Sequence, residues 1–308
     1  MFELIIIGGG PGGVAAGVYA SRKQLKTLLI TDVFGGQSVV SDGIENWIGE
    51  IKISGFDLAK KMENHLLAYT GEFVTVNKGE RVESVVQNPD KTFTVKTNKG
   101  EYSAQSVLVA TGSIRRKLEA PGADRLEHKG LTYCATCDGP MFAGQDVVVA
   151  GGGNSALEGV VQLLSYCKSV TLIHRREEFR ADPVTLEVVK KNPKLNLILN
   201  AEITEVLGEN FVSGLKYKDK ISGEIREIAA TGIFIEIGAL PATKFVTPIV
   251  DALPDGTIKI DPWNQRTSLE GIWAAGDCTN ILYHQNNIAA GDAVRALEDI
   301  FLWIKHHK

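Results

Sequence analysis

Cysteine is scarce in this sequence, and so are several other features that would mark a functional class. Four cysteines in 308 residues are too few for a secreted disulfide framework, so a reducing compartment is expected and a cysteine pair reads as chemical rather than structural. There is no basic excess. Lys and Arg number 33 against 37 Asp and Glu, a formal charge of -4, which argues against a general binder of nucleic acid or anionic membrane. No unbroken apolar run reaches membrane length. The stretch from Leu4 to Tyr19 comes nearest, but Glu3 precedes it, a basic start is missing and Gly-Gly-Gly-Pro-Gly-Gly interrupts it, as no signal or membrane helix would allow. A cytoplasmic chain without membrane contact is the expectation. With 44% hydrophobic and 23% charged residues, a disordered, collagen-like or repeat-array chain is excluded, and the length suits about two domains.

Glycine, by contrast, is plentiful: 32 residues, above the usual ~7%, gathered in short clusters of the kind that let a backbone approach a ligand. Two of these clusters are copies of one motif. LIIIGGGPGGVAAG begins at Leu4 and VVVAGGGNSALEG at Val147, and each reads as buried strand, glycine turn and helix. Gly8, Gly10 and Gly13 fill G-x-G-x-x-G/A in the first copy; Gly151, Gly153 and Ala156 fill it in the second. The first position permits the tight turn, the second admits a pyrophosphate and the third packs helix on strand. The helix N-terminus then offers unpaired N–H groups and partial positive charge to the anion. Two dinucleotide sites follow.

The copies diverge at their second strands. TLLITD ends on Asp32, placed to bind an adenosine ribose 2′-OH, whereas VTLIHR ends on Arg175, followed by Arg176 and then Arg180. A carboxylate repels a 2′-phosphate and guanidiniums pair with it. The first site therefore suits FAD or NAD and the second NADPH.

Chain order predicts an α/β protein of two Rossmann-like, three-layer domains. A strand pair is expected around Lys91 to Asn98, then the strand VLVATG from Val107 to Gly112. The late segment GIWAAGD, Gly271 to Asp277, with a helix from about Asn287 to Lys305, is expected to return to the first domain. The NADPH domain, 114–243, is thus an insertion into an FAD domain made of 1–113 and 244–308. Its two crossings, Ser113 to Gly122 and Gly238 to Lys244, are candidate hinges.

Cys134 and Cys137 form CATC, followed by Asp138 and Gly139. Zinc needs four ligands, yet Cys167 and Cys278 stand apart and the six histidines show no pair at ligand spacing. Two-residue spacing instead permits an intramolecular disulfide with acidified thiols. Beside the two nucleotide sites, a dithiol completes an electron path. Asp138 fits two descriptions, a general acid for the departing thiolate or a turn residue before Gly139.

Over essentially its whole length, the chain resembles the low-molecular-weight thioredoxin reductases of bacteria and archaea. The motifs that carry the resemblance are GGGPGG, FGGQ (Phe34 to Gln37), IENW (Ile44 to Trp47), VATG, CATCDG, GGGNSALE, HRREEFRA (His174 to Ala181) and AAGDC (Ala274 to Cys278). The resemblance implies a homodimer in which NADPH reduces FAD, FAD reduces the CxxC disulfide, and the dithiol reduces a thioredoxin or glutaredoxin-like protein. By motif, Cys137 would face the flavin, Cys134 would attack the substrate disulfide and Asp138 would protonate. Gly36, Gln37, Asn46, Thr111, Gly112, Gly276, Asp277 and Gln285 would join Gly8, Gly10, Gly13 and Asp32 around FAD. Asn154, Ser155 and His174 would join Gly151, Gly153 and the arginines around NADPH.

Two departures bear on the partner and the flavin. The family usually places two aromatics after CDG to help dock thioredoxin, and here Pro140-Met141-Phe142 follows. CDGP and GGGNS are similar to the reductase portion of the alkyl hydroperoxide reductase flavoprotein, a peroxiredoxin-system reductase. That protein takes NADH and carries thioredoxin-like domains ahead of its FAD strand; this sequence opens on that strand and keeps His174-Arg175-Arg176. His284 replaces the usual basic residue before Gln285. A dithiol oxidase of the same fold would not need the arginines, a ferredoxin–NADP reductase relative would lack CxxC, and a non-catalytic flavin sensor would need neither the dithiol nor the NADPH site.

Overall fold

In the computed structural model, residues 1–40 and 43–307 are described, without the side chains of Val40, Thr136 and Cys137. The chain forms two compact units, one of residues 1–114 and 240–308 and the other of residues 115–239.

The first unit begins with β1 (Phe2–Ile7), α1 (Pro11–Arg22) and β2 (Thr27–Thr31), then α2 (Gly55–Leu67) and β3 (Val74–Lys78). After these come β4 (Val82–Gln87), β5 (Phe93–Thr97), β6 (Glu101–Val109) and the crossing strand β7 (Ser113–Arg115). The sheet order is β3-β2-β1-β6-β5-β4, with β17 (Ile272–Ala274) also on β6. The first residues of β6 pair antiparallel with β5, and its last three pair parallel with β17. That second pairing returns the late segment to the first sheet. Leu4 and Ile6 face one core with α1 and α7 (Asn286–His306), while Ile5 and Ile7 face another. Burial on both faces is why β1 reads as a continuous apolar run.

In the second unit, α3 (Ala123–Leu126), β8 (Leu131–Thr132) and α4 (Ala135–Asp138) precede β9 (Asp146–Gly151), α5 (Asn154–Leu164) and β10 (Ser169–Ile173). The unit continues with α6 (Pro183–Lys190), β11 (Leu195–Ile198), β12 (Ala201–Leu207), β13 (Gly214–Asp219), β14 (Ile225–Ala229) and β15 (Gly232–Glu236). Five parallel strands run β11-β10-β9-β15-β8. On α5, Ala156, Leu157, Val160, Leu163 and Leu164 are buried, the helical stripe that covers one face of this sheet. The other face is covered by an antiparallel sheet, β12-β13-β14, through Val206, Leu215 and Tyr217. The motif reading did not foresee this layer, because EITEVL and IREIA mix charged and apolar positions as an exposed connection would.

The strand β16 (Ala239–Pro241) pairs with β7, so the two chain crossings form a ribbon. Just beyond it, Ala242 N donates to Gly112 O at 3.0 Å and Thr111 Oγ1 to Ala242 O at 2.7 Å, which ties 242 into the first unit. Among the described residues no helix is long and apolar enough to cross a membrane.

Candidate active site

The two glycine turns show the geometry that a nucleotide pyrophosphate needs. Gly8 has φ +124°, and a Cβ there would lie 2.2 Å from Ala110 O. At Gly13 a Cβ would lie 1.9 Å from Gly8 O, so only glycine lets α1 sit this close to β1. Gly10, between them, faces open space; its nearest neighbour would be Gly36 Cα at 3.9 Å. In the second turn, a Cβ at Gly151 would lie 2.4 Å from Glu236 O and 2.7 Å from Ala156 Cβ, while Gly153 has nothing within 4 Å. Gly10 and Gly153 are the N-caps of α1 and α5, and neither helix has a side-chain cap. The first-turn N–H groups of both helices are therefore directed at an open cradle, and both cradles fit a dinucleotide.

Around the first turn, the unit gathers the other residues assigned to FAD. Gly36 stands over Gly10, and Ala110 and Thr111 back Gly8. The Gln37 side-chain amide donates to Ser113 O. Asn46 Nδ2 donates to Gln285 Oε1 at 3.0 Å, and Asn287 Nδ2 to Asn46 O at 2.7 Å. Gly276 (φ +74°) and Asp277 lie in a short turn after β17, where a Cβ at Gly276 would meet Ala289 Cβ at 3.0 Å. Gly112 (φ +65°) follows β6 with open space around it. Asp32, one residue past β2, is exposed and paired with Arg81 at 3.0 Å. Sequence reasoning missed Arg81, Ser38, whose hydroxyl donates to Asn286 Oδ1 at 2.9 Å, and the buried Asp292. Burial and the Asp277 charge push the Asp292 carboxyl up, against the pull of Arg295. An acid on the inward face of α7 was the available signal for Asp292; Arg81 and Ser38 had none.

β10 stops at Ile173, so His174, Arg175, Arg176 and Arg180 lie in the loop beyond it. The three arginines are exposed, and among the described residues none is in an ion pair. His174 is buried, stacks on Phe179 at 5.1 Å and has Nε2 3.1 Å from Glu178 O. Burial, aided by the three nearby arginines, holds its pKa below the usual histidine range, so the ring is neutral. Asn154 Oδ1 accepts from Asp182 N at 2.7 Å, and Ser155 is exposed on the first turn of α5.

Cys134 is held in a disulfide. Cys167 and Cys278 are buried free thiols. The Cys137 side chain lies outside the described ones, so its pairing with Cys134 rests on the sequence. Thr132 organises the turn. Its hydroxyl donates to the buried Asp138 carboxylate and accepts from Cys134 N at 3.3 Å. Asp138 N in turn donates to Cys134 O at 3.1 Å. Asp138 is thus a structural partner of the turn and an acid within the same short helix as the cysteines.

The sequence profile of the pyridine nucleotide-disulphide oxidoreductases matches residues 2–293. The chain is 36% identical over 302 residues to the alkyl hydroperoxide reductase flavoprotein of Xanthomonas campestris pv. phaseoli, covering 97% of this chain and 56% of that protein. It thus spans little more than half the length of such curated relatives. It is 37% identical over 305 residues to the thioredoxin reductase of Mycolicibacterium smegmatis, covering 98% of this chain and 96% of that one. Among solved structures, the thioredoxin reductase of Streptococcus pyogenes MGAS5005 superposes with a TM-score of 0.86 at 33% identity over 99% of both chains.

Proposed function

The chain belongs to the pyridine nucleotide-disulphide oxidoreductase family, and from that premise we propose that it is an NADPH-dependent thioredoxin-disulfide reductase using FAD. One observation carries the reading: the disulfide-bonded Cys134 and the arginine-flanked glycine turn share one compact unit, while every residue assigned to FAD lies in the other. In the first unit, Gly8, Gly10, Gly13, Asp32, Gly36, Gln37, Asn46, Thr111, Gly112, Gly276, Asp277 and Gln285 hold FAD. In the second, Gly151, Gly153, Asn154, Ser155, His174, Arg175, Arg176 and Arg180 hold NADPH, with the phosphate on the arginines and the pyrophosphate on the open first turn of α5. Bound FAD supplies the two-electron relay between reduced nicotinamide and disulfide.

The residues of the chain do the sulfur chemistry. The Cys134 thiolate attacks one sulfur of the substrate disulfide and expels the other as a thiolate, which Asp138 protonates. Cys137 then attacks Cys134 in the mixed disulfide, releases the reduced substrate and restores the Cys134–Cys137 bond. The balance is NADPH, a proton and a protein disulfide giving NADP⁺ and a protein dithiol. The partner is a thioredoxin or glutaredoxin-like protein, the working state a homodimer and the compartment the reducing cytoplasm.

A second reading, reductase of a peroxiredoxin system, is favoured by Met141 standing exposed on the turn after CDG, where the chain has Pro140-Met141-Phe142. Purified protein with NADPH and a panel of small disulfide proteins tests both. Rapid NADPH oxidation with a free thioredoxin is expected. Turnover only with a thioredoxin-like domain of a peroxide-reducing system supports the second reading, and no turnover with any disulfide rejects both.

A further inference from the structure

Glu236 ends β15 in the second unit, and no step above uses it. It is buried to 9% exposure, and its Oε2 lies 2.8 Å from Arg115 Nη1. Its carboxyl also accepts a hydrogen bond from the backbone N–H of Ala135, the peptide that follows Cys134. A buried carboxylate is costly unless paired and hydrogen-bonded. This one is secured from two sides, by a guanidinium from the crossing strand β7 and by the redox turn itself.

We infer that Glu236, anchored by Arg115, is a positioning residue for the redox pair, holding the peptide after Cys134 and opposing ionisation of the Cys134 thiol. The inference rests on the disulfide-reductase reading and deepens it. Two physical effects act together. The Ala135 N–H is one of the few donors close enough to favour a Cys134 thiolate, and the carboxylate occupies it. The carboxylate also places negative charge one peptide from the sulfur, and like charge disfavours a second anion. A less acidic thiol makes a dithiol that gives up its electrons more readily, because a stabilised thiolate is what makes a disulfide oxidising. Glu236 thereby biases the pair toward donating electrons to a protein partner. The charged groups facing the carboxyl are Arg115 on β7 and Glu158 on α5; burial raises its pKa, while Arg115 and the Ala135 N–H oppose that. On the cysteine side the charged neighbour is Asp138, engaged by Thr132.

The test is the pH dependence of Cys134 alkylation by iodoacetamide in the FAD-loaded full chain, in a Cys137→Ser background where Cys134 is the one thiol of the redox pair. Glu236→Gln keeps the size and the acceptor and removes the charge. The expected result is a downward shift of the alkylation profile, with a rate at pH 6.5 raised about three- to tenfold and an unchanged high-pH plateau. A Glu236→Gln profile that superimposes on that of the parent overturns the inference, as does one shifted upward. Should Glu236→Gln alone fail to fold, Arg115→Met with Glu236→Gln removes both charges together and is held to the same downward shift. The measurement needs no turnover. A protein that fails to couple NADPH to any disulfide would reject the functional reading and still report on Glu236.

Discussion

Arg175, Arg176 and Arg180 are exposed and carry no ion pair among the described residues, so a 2′-phosphate meets three guanidiniums with no carboxylate to displace. Charge-assisted contacts of this kind contribute about 1.5–3 kcal/mol each when sheltered, and less in solvent. Arg175→Ala with Arg176→Ala should raise the KM for NADPH about tenfold or more and leave that for NADH within about twofold. Steady-state kinetics with both nucleotides measures this, and a parent enzyme indifferent between them would remove the basis for the NADPH assignment. The two cysteines outside CATC make a contrasting case. Burial pushes the Cys278 thiol up to about 11 and the Cys167 thiol upward as well. Since the thiolate is the nucleophile, both should stay unlabelled by iodoacetamide at pH 8 in the folded protein and label fully in denaturant. Peptide mass spectrometry distinguishes the outcomes; labelling of Cys278 in the native state would contradict its burial.

At the scale of the elements, the strand–turn–helix units separate two demands on glycine. Gly13 is needed for packing, because a Cβ there lands 1.9 Å from Gly8 O, whereas Gly153 meets nothing within 4 Å and is needed only by a ligand. Gly13→Ala should therefore destabilise the first unit by about 1–3 kcal/mol, as overpacking does, and weaken flavin retention. Gly153→Ala should leave the melting temperature unchanged and raise the KM for NADPH. Thermal unfolding and kinetics on the pair test this, and equal effects on stability would refute the distinction. These elements were legible because their periodicity and turn residues are local. The antiparallel sheet β12–β14 was not: its inward residues, Val206, Leu215 and Tyr217, are scattered among charges on strands whose pairing depends on the parallel sheet they cover.

For the whole molecule, the crossings β7 and β16 are the feature with functional consequence. The nicotinamide and the disulfide both belong to the second unit, and each must reach a flavin held by the first. Turns of one unit about the ribbon would let them alternate, on the μs–ms scale usual for such closures. A cross-link that freezes the two units against each other should stop coupled turnover while sparing one half-reaction, flavin bleaching by NADPH or flavin exchange with the disulfide. Normal turnover in the locked protein would reject the alternation.

The sequence by itself determined the two glycine turns, the divergence of Asp32 from Arg175 and the CATC pair, because each is a short-range requirement written in adjacent residues: space at a turn, charge at a strand end, two thiols in one helical turn. Only the tertiary structure decided what stands beside them. Asp32 meets Arg81 across 49 residues, and Glu236 meets Arg115 across 121. The worth of a buried carboxylate depends on the guanidinium and the N–H brought to it, and folding alone brings them there.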